Sequence, residues 1–356
     1  MNQFFLFFFF LVFISAGQVK AASNKEETFK VTSIYTAINW LQKKPKLLSS
    51  KSVILLIDRK KDKSFTLDAI DISNIENPTY LTTVIQVKSD ERIMDFTITN
   101  DERLLFVTLT NRLNVYDISN ISNITLKKTI PLHSANSIVL SPDNNLLFVS
   151  GCIQKISCSS ITVFQLTPYP ILLTQLESGG NTQLTISKDG TKLAFVSSMT
   201  NTLILAQISS SLEFSILDFD SATYNNRGSW KTSGTIEDIT FSENGKKLYI
   251  AGNEVGLIVY NISKNQLDKT QQTAGIHWGA FFNKTKAIYS VDVVGNNIYL
   301  SGESNNQPRT IPFIKSADKT YLFSGEMIKA SPENSLVVYV NSHSKPYGLI
   351  FLKLIK

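Results

Sequence analysis

Asp95, Asn136, Asn181, Gln183, Glu237, Asp238, His277 and Glu326 share one placement: each stands at the start of a short apolar run that reads as a strand. If the fold gathers these positions, their carboxylates and amides supply oxygen ligands for a hard divalent cation such as Ca²⁺. Asp95, Asn136, Asn181, Asp238 and Glu326 are the candidate metal ligands. His277 beside Trp278 is the most suggestive pair for binding, but His133 and His343 are expected in loops and give it no partner. No Gly-x-Ser-x-Gly elbow, His-Glu-x-x-His pair, phosphate loop or dinucleotide fingerprint occurs. Sixteen glycines in 356 residues leave little material for a phosphate cradle. These residues favour a binding protein over an enzyme, and a divalent cation is the one cofactor they leave open.

The elements that must position these residues form an internal repeat. A short apolar strand, a polar turn and a strongly apolar strand recur at Phe96–Val107, Ile138–Val149, Leu184–Val196 and Ile239–Ile250. Weaker copies run Ala280–Tyr289 and Ile328–Tyr339. The turn anchors are read as Asn100, Ser141, Ser187, Ser242, Asn283 and Ser331, with separations of 41, 46, 55, 41 and 48. Asp, Asn, Gly and Pro follow them, each a turn former by its own route. One or two further strand-like runs follow each copy, which makes about four short strands, the blade of a β-propeller.

A seventh copy lies upstream, with strands over Val53–Ile57, Phe65–Ile70 and Tyr80–Ile85. The last copy ends at its third strand, Leu349–Ile355. The otherwise unassigned run Phe29–Tyr35 is expected to supply its outer strand and close the ring, which removes an exposed edge. The expected architecture is therefore all-β: a seven-bladed propeller of four-stranded antiparallel blades, one domain over residues 22–356, at about 48 residues per blade.

The 55-residue separation marks an insertion over roughly 218–235. It is polar and carries Tyr224, Arg227 and Trp230, candidate binding residues together with His277 and Trp278. Long loops on a rigid scaffold often bind.

Phe4–Ile14 is uncharged and apolar, but eleven helical residues rise only about 16 Å, too short for a bilayer. Small residues follow, and Val19 and Ala21 suit the subsites before a cleavage bond. Residues 1–21 are read as a cleaved signal peptide. No later run is long enough to span a membrane. The mature chain is expected to be secreted, at the cell surface or in the secretory lumen.

Two cysteines, Cys152 and Cys158, flank a short loop between strand-like runs, which suits a disulfide in an oxidising compartment. Four sequons, at Asn120, Asn123, Asn261 and Asn283, permit N-glycosylation. The net charge of +6 is dispersed. Its densest run, Arg59–Lys63, reads as a solvated hairpin tip. No basic patch interleaved with aromatics appears, so nucleic acid is not an expected partner.

The segment Leu67–Leu81, with its Ile70-Asp71-Ile72-Ser73-Asn74 core, resembles the LVIVP repeat. Val115-Tyr116-Asp117-Ile118-Ser119-Asn120 and Val259-Tyr260-Asn261-Ile262-Ser263 echo it. The Ser-Pro-Asp-Asn turn is similar to those of lactonase-like and YVTN-type propellers. The resemblance implies an exported or surface propeller whose motif residues are structural. The expected function is a binding scaffold for a protein or a glycan. The alternative implied by the lactonase-like likeness is a metal-dependent hydrolase using channel carboxylates.

Overall fold

A computed structural model describes residues 28–35, 45–153, 160–178, 181–197, 202–209, 211, 213–216, 236–242, 244–252, 256–264, 266–271, 276–282, 288–294, 297–304, 307–315, 325–331, 336–341 and 348–355. The first strand is β1 (Thr28–Tyr35). Sheet one holds β2 (Lys46–Leu48), β3 (Val53–Arg59), β4 (Phe65–Asp71) and β5 (Thr79–Val87). Sheet two holds β6 (Ile93–Ile98), β7 (Leu104–Leu109), β8 (Arg112–Asp117) and β9 (Thr125–Pro131). Sheet three holds β10 (His133–Leu140), β11 (Leu146–Cys152), β12 (Ser160–Leu166) and β13 (Pro170–Glu177). Sheet four holds β14 (Asn181–Ile186), β15 (Lys192–Ser197), β16 (Thr202–Ile208) and β17 (Phe214–Ile216). Sheet five holds β18 (Ile236–Phe241), β19 (Lys247–Gly252), β20 (Gly256–Asn261) and β21 (Gln266–Gln271). Sheet six holds β22 (Ile276–Phe282), β23 (Ile288–Val294), β24 (Asn297–Ser304) and β25 (Gln307–Lys315). Sheet seven holds β26 (Gly325–Ser331), β27 (Leu336–Asn341) and β28 (Gly348–Ile355), with β1 hydrogen-bonded antiparallel along β28. Among the described residues only two 3₁₀ turns, Ser49–Lys51 and Ile262–Lys264, are helical. No helix there is long and apolar enough to cross a membrane.

The strands are apolar on both faces because neighbouring sheets cover both. Successive side chains of a strand point to opposite faces. In β3, Val53, Leu55 and Ile57 pack with Ile93, Phe96 and Leu105 of sheet two. Ile54 and Leu56 turn the other way and pack with Leu349 and Phe351 of sheet seven. Phe106, Leu113 and Val115 meet Ile138 and Leu147 between sheets two and three. Phe148 and Val163 meet Leu193 and Phe195 between sheets three and four. Ala194 and Leu205 meet Ile239, Phe241 and Tyr260 between sheets four and five.

One turn recurs between first and second strands. The hydroxyls of Thr99, Ser141, Ser187 and Ser242 donate to Asp101, Asp143, Asp189 and Asn244, two residues on. Each hydroxyl also accepts the amide five residues on, from Leu104, Leu146, Lys192 and Lys247. This side-chain to backbone closure is what the Ser-x-Asp spacing encodes. It corrects one anchor. In sheet two the closing hydroxyl belongs to Thr99, one residue before Asn100. Asn100 instead reaches sideways, its side-chain amide donating to the carbonyl of Pro142 at 2.6 Å, so it links two turns.

The Asp-Ile-Ser-Asn phrase also has a structural account. Asp71 and Asp117 accept the amides of Ser73 and Ser119, and Asn74 and Asn120 accept those of Glu76 and Ser122. These paired Asx turns carry the chain from the third strand to the fourth. Between them, Ile72 and Ile118 are buried.

Candidate binding rim at the bulged first strands

Each first strand of sheets two to seven carries a β-bulge near its start. The register shifts at Ile93/Asp95, His133/Ser137, Asn181/Gln183, Ile236/Asp238, His277/Ala280 and Gly325/Met327. Bulges gather at rims and re-aim side chains. The sequence-selected positions therefore share one level of the fold. Asp95, Asn136, Asn181, Asp238, His277 and Glu326 each lie within or beside a bulge, and Trp278 is a bulge residue.

Sheet three departs from the common solution. Elsewhere the bulge sets one residue against none, or two against one. In β10 three residues, Ser134, Ala135 and Asn136, stand against Gly151 alone. Ser134 has φ 56°, the left-handed region that non-glycine residues seldom adopt. Gly151 has φ 145°, and a Cβ there would sit 2.8 Å from the carbonyl oxygen of His133. Only glycine admits the bulge at that approach. His133, expected in a loop, is the first residue of β10, because the bulge hides the strand's alternation from the sequence.

A cavity of about 390 Å³ opens between sheets two and three at this bulge, lined by Met94, Thr110, Asn111, His133, Ser134, Ala135 and Asn136. Backbone ties hold its walls. Thr110 donates its amide to the carbonyl of Arg92 and accepts the amide of Arg92 on its hydroxyl. Leu132 donates to the carbonyl of Asn111. The amides of Asn136 and Ser137 donate to the buried hydroxyl of Ser150 at 3.2 and 2.8 Å. The side-chain amides of Asn111 and Asn136 have no hydrogen-bond partner among the described residues, and the wall carries no carboxylate, ammonium or guanidinium group. Two uncommitted amides, each a donor and an acceptor, together with the Met94 thioether and the His133 imidazole suit a hydrogen-bonding ligand.

Asp95 sits beside the cavity with both oxygens committed. One accepts its own strand's Phe96 amide at 2.8 Å. The other accepts the Ile138 amide at 3.2 Å and the Ser137 hydroxyl at 3.3 Å. The geometry makes it a clamp between β6 and β10. Among the described residues no group of three or more His, Cys, Asp and Glu is arranged to hold a metal ion. The side chains of Asn181, Asp238, His277, Trp278 and Glu326 lie outside the described set, as do Tyr224, Arg227 and Trp230 altogether. Cys152 ends β11 opposite His133 and is buried, while Cys158 lies outside the described residues. Asn120 and Asn123 are exposed, Asn261 is half-buried and Asn283 is outside the described residues.

A charged cluster on sheet one was not visible in the sequence. The run Arg59–Lys63 does form the hairpin tip between β3 and β4. Lys60, however, folds back, its ammonium 2.7 Å from Asp68 and 2.9 Å from Asp58. Those carboxylates are 4% and 1% exposed. Asp68 also accepts from the hydroxyls of Thr66 and Thr83, and Thr83 bonds the Tyr80 hydroxyl. Burial pulls the Lys60 ammonium towards deprotonation, but its bonds to Asp68 and Asp58 outweigh that and hold it above the usual lysine range. The cluster lies on the face of sheet one that packs against sheet seven.

No family model matches the chain, and no curated protein matches it. Among solved structures, a chain of the crystal structure of a mitotic checkpoint complex is similar, with a TM-score of 0.65 and 13% identity over 100% of both chains. At that identity the likeness bears on fold alone. With the antiparallel four-stranded sheets, it is consistent with a β-propeller.

Proposed function

We propose that the protein is an exported seven-bladed β-propeller that works as a binding scaffold, and that the β10 bulge cavity receives a protein partner. Support for the ring comes from the order of contacts. The first strands touch in succession from β6 through β10, β14, β18 and β22 to β26, and β26 touches β2. The strand β1, laid on β28, would then be the closing strand. The observation that carries the binding reading is the departure of β10 from its own repeat. Single-residue bulges meet the same structural need elsewhere, so the added residues, the left-handed Ser134 and the uncommitted amides are surplus to folding.

A protein suits the cavity better than a glycan. Its lining has no Trp, Tyr or Phe ring on which a sugar could stack, the His133 imidazole being its one aromatic group, whereas paired amides match the donor and acceptor of a peptide group. Export rests on the N-terminal segment 1–21. A Cys152–Cys158 disulfide would brace the loop that follows β11, just behind the cavity. Glycans at Asn120 and Asn123 would sit on the exposed link between β8 and β9. The LVIVP-like phrase fits this reading as a turn device without chemistry.

The test is affinity capture from the native secretory or surface fraction with the wild-type chain and with Asn111→Ala/Asn136→Ala. Loss of a captured protein in the double variant, at unchanged thermal stability, is expected. Equal capture by both would overturn the cavity as the binding site.

A further inference from the structure

We propose that the outer surface where sheet seven meets sheet one is a carbohydrate site, in which a neutral sugar ring lies against Tyr80 and its hydroxyls bond Lys60 and Tyr35. The site is separate from the β10 cavity. Its starting point is a second departure from the repeat. One polar pair recurs between third and fourth strands: Asp68 faces Thr83 in sheet one, Asn114 faces Thr129 in sheet two and Thr162 faces Gln175 in sheet three. In each pair the two side chains are hydrogen-bonded. Sheets two and three make this bond with neutral groups, so the fold does not require charge there. Sheet one alone of the three adds it. Asp58 stands where the other second strands have Leu109 and Gly151, and Lys60 joins Asp58 to Asp68. Sheet one also carries a ring, Tyr80, where sheets two and three have Leu126 and Leu172.

These groups keep binding capacity at the surface. Thr83 gives its one hydroxyl proton to Asp68, so the Tyr80 hydroxyl donates to Thr83 and its oxygen can still accept. That bond fixes the ring while 52% of the residue stays exposed. Asp58 and Asp68 take two of the three ammonium protons of Lys60, which leaves one for a ligand. Tyr35, the last residue of β1, packs against the same cluster as Ile54, Leu56 and Ile70. Its hydroxyl has no hydrogen-bond partner among the described residues. Burial, and then the charge of Asp68, hold that hydroxyl above the ordinary tyrosine value, so it keeps its proton and can donate. A fixed, exposed ring beside two donors and a phenol oxygen meets the two aspects of a sugar, a face of C–H groups and a rim of hydroxyls. Two carboxylates outnumber the single ammonium, which favours a neutral sugar over an acidic one.

The probe is an immobilised panel of neutral oligosaccharides, ending in mannose, galactose, glucose or N-acetylglucosamine, beside sialylated and uronate ones and a basic peptide. The purified chain is expected to bind at least one neutral member. Tyr80→Leu, which installs the residue sheet two has there, is expected to weaken that binding about tenfold or more at an unchanged melting curve. Tyr80→Phe keeps the ring and should retain most of it, and Tyr35→Phe should weaken it by removing a donor. Asn111→Ala/Asn136→Ala should leave it intact, which separates this site from the β10 cavity. No bound neutral glycan overturns the proposal, as does binding indifferent to Tyr80→Leu. Capture of the basic peptide or of acidic glycans alone overturns the assignment of a neutral sugar.

Discussion

The carbonyl oxygen of His133 faces Gly151 so closely that a Cβ there would stand 2.8 Å from it, with the Ala135 backbone at 3.1 Å. Neither neighbour is a flexible side chain, so neither can move aside cheaply. Gly151→Ala is expected to lower stability by about 2–3 kcal/mol and to deform the β10 bulge. Gly190 is the control: its φ is 72°, but the nearest atom to an added Cβ is Pro142 Cδ at 3.7 Å. Gly190→Ala should cost about 1–2 kcal/mol, the price of the left-handed backbone alone. Urea unfolding of the two variants compares them; equal losses would show that the close approach to His133 is immaterial.

Asp95 joins two sheets with one carboxylate. Asp95→Ala leaves the Ile138 amide and the Ser137 hydroxyl without that acceptor, a loss of about 1–3 kcal/mol. The effect should be local. Hydrogen exchange at Ile138 and Phe96 is expected to quicken, while amides of sheet five stay protected. Unchanged exchange at Ile138 would remove Asp95 from its clamping role.

Strands and turns were legible in the sequence because each is encoded locally. Val53–Ile57 and Leu146–Ser150 read as buried strands from their unbroken apolar runs, and both become strands apolar on two faces. The Ser-x-Asp turns were visible because the closing hydroxyl and its acceptor are two residues apart. What escaped was set by insertion or by distance. The bulge places three residues of β10 against one, so His133 looked like loop. Asn100 looked like an anchor because it is itself a turn former, while Thr99 makes the bonds. Lys60 looked like a solvated tip residue because Asp68, its partner, is brought back only by the pairing of β3 with β4. The cavity was half-legible: Asn136 was named from its place before a strand, but Asn111 comes from the neighbouring sheet and nothing local marks it.

Lys60 supplies the ammonium shared by Asp58 and Asp68. Lys60→Met should therefore cost about 3–5 kcal/mol, because two nearly buried carboxylates lose it together. Lys60→Met/Asp58→Asn, which removes one of the two negative charges, should recover part of the loss. Thermal melts of the three proteins check this. A Lys60→Met chain as stable as wild type would make the cluster an ordinary surface pair. The pH behaviour has a definite sign. The folded Lys60 value is raised, so its contribution is complete below the ordinary lysine value and fades as pH climbs through the raised one.

The turn carboxylates give the opposite dependence. Burial tends to raise Asp189, but the Ser187 hydroxyl, the Thr191 amide and hydroxyl and the Lys192 ammonium outweigh it and hold the group at about 2. Asp143 is lowered in the same direction, burial being outweighed by its bonds from Ser141 and Asn145. A carboxylate lowered on folding adds stability that is full above its unfolded value and lost as pH falls through the folded one. Wild-type stability should thus decline between about pH 4 and about pH 2. Asp189→Asn should flatten part of that decline while weakening the protein near neutrality. The Asp189 side chain is 50% exposed, so its share is modest, and added salt should trim the part due to Lys192. Urea midpoints for wild type and Asp189→Asn across that range decide it. Parallel curves for the two would place the acid sensitivity elsewhere than in the Ser187–Asp189 turn.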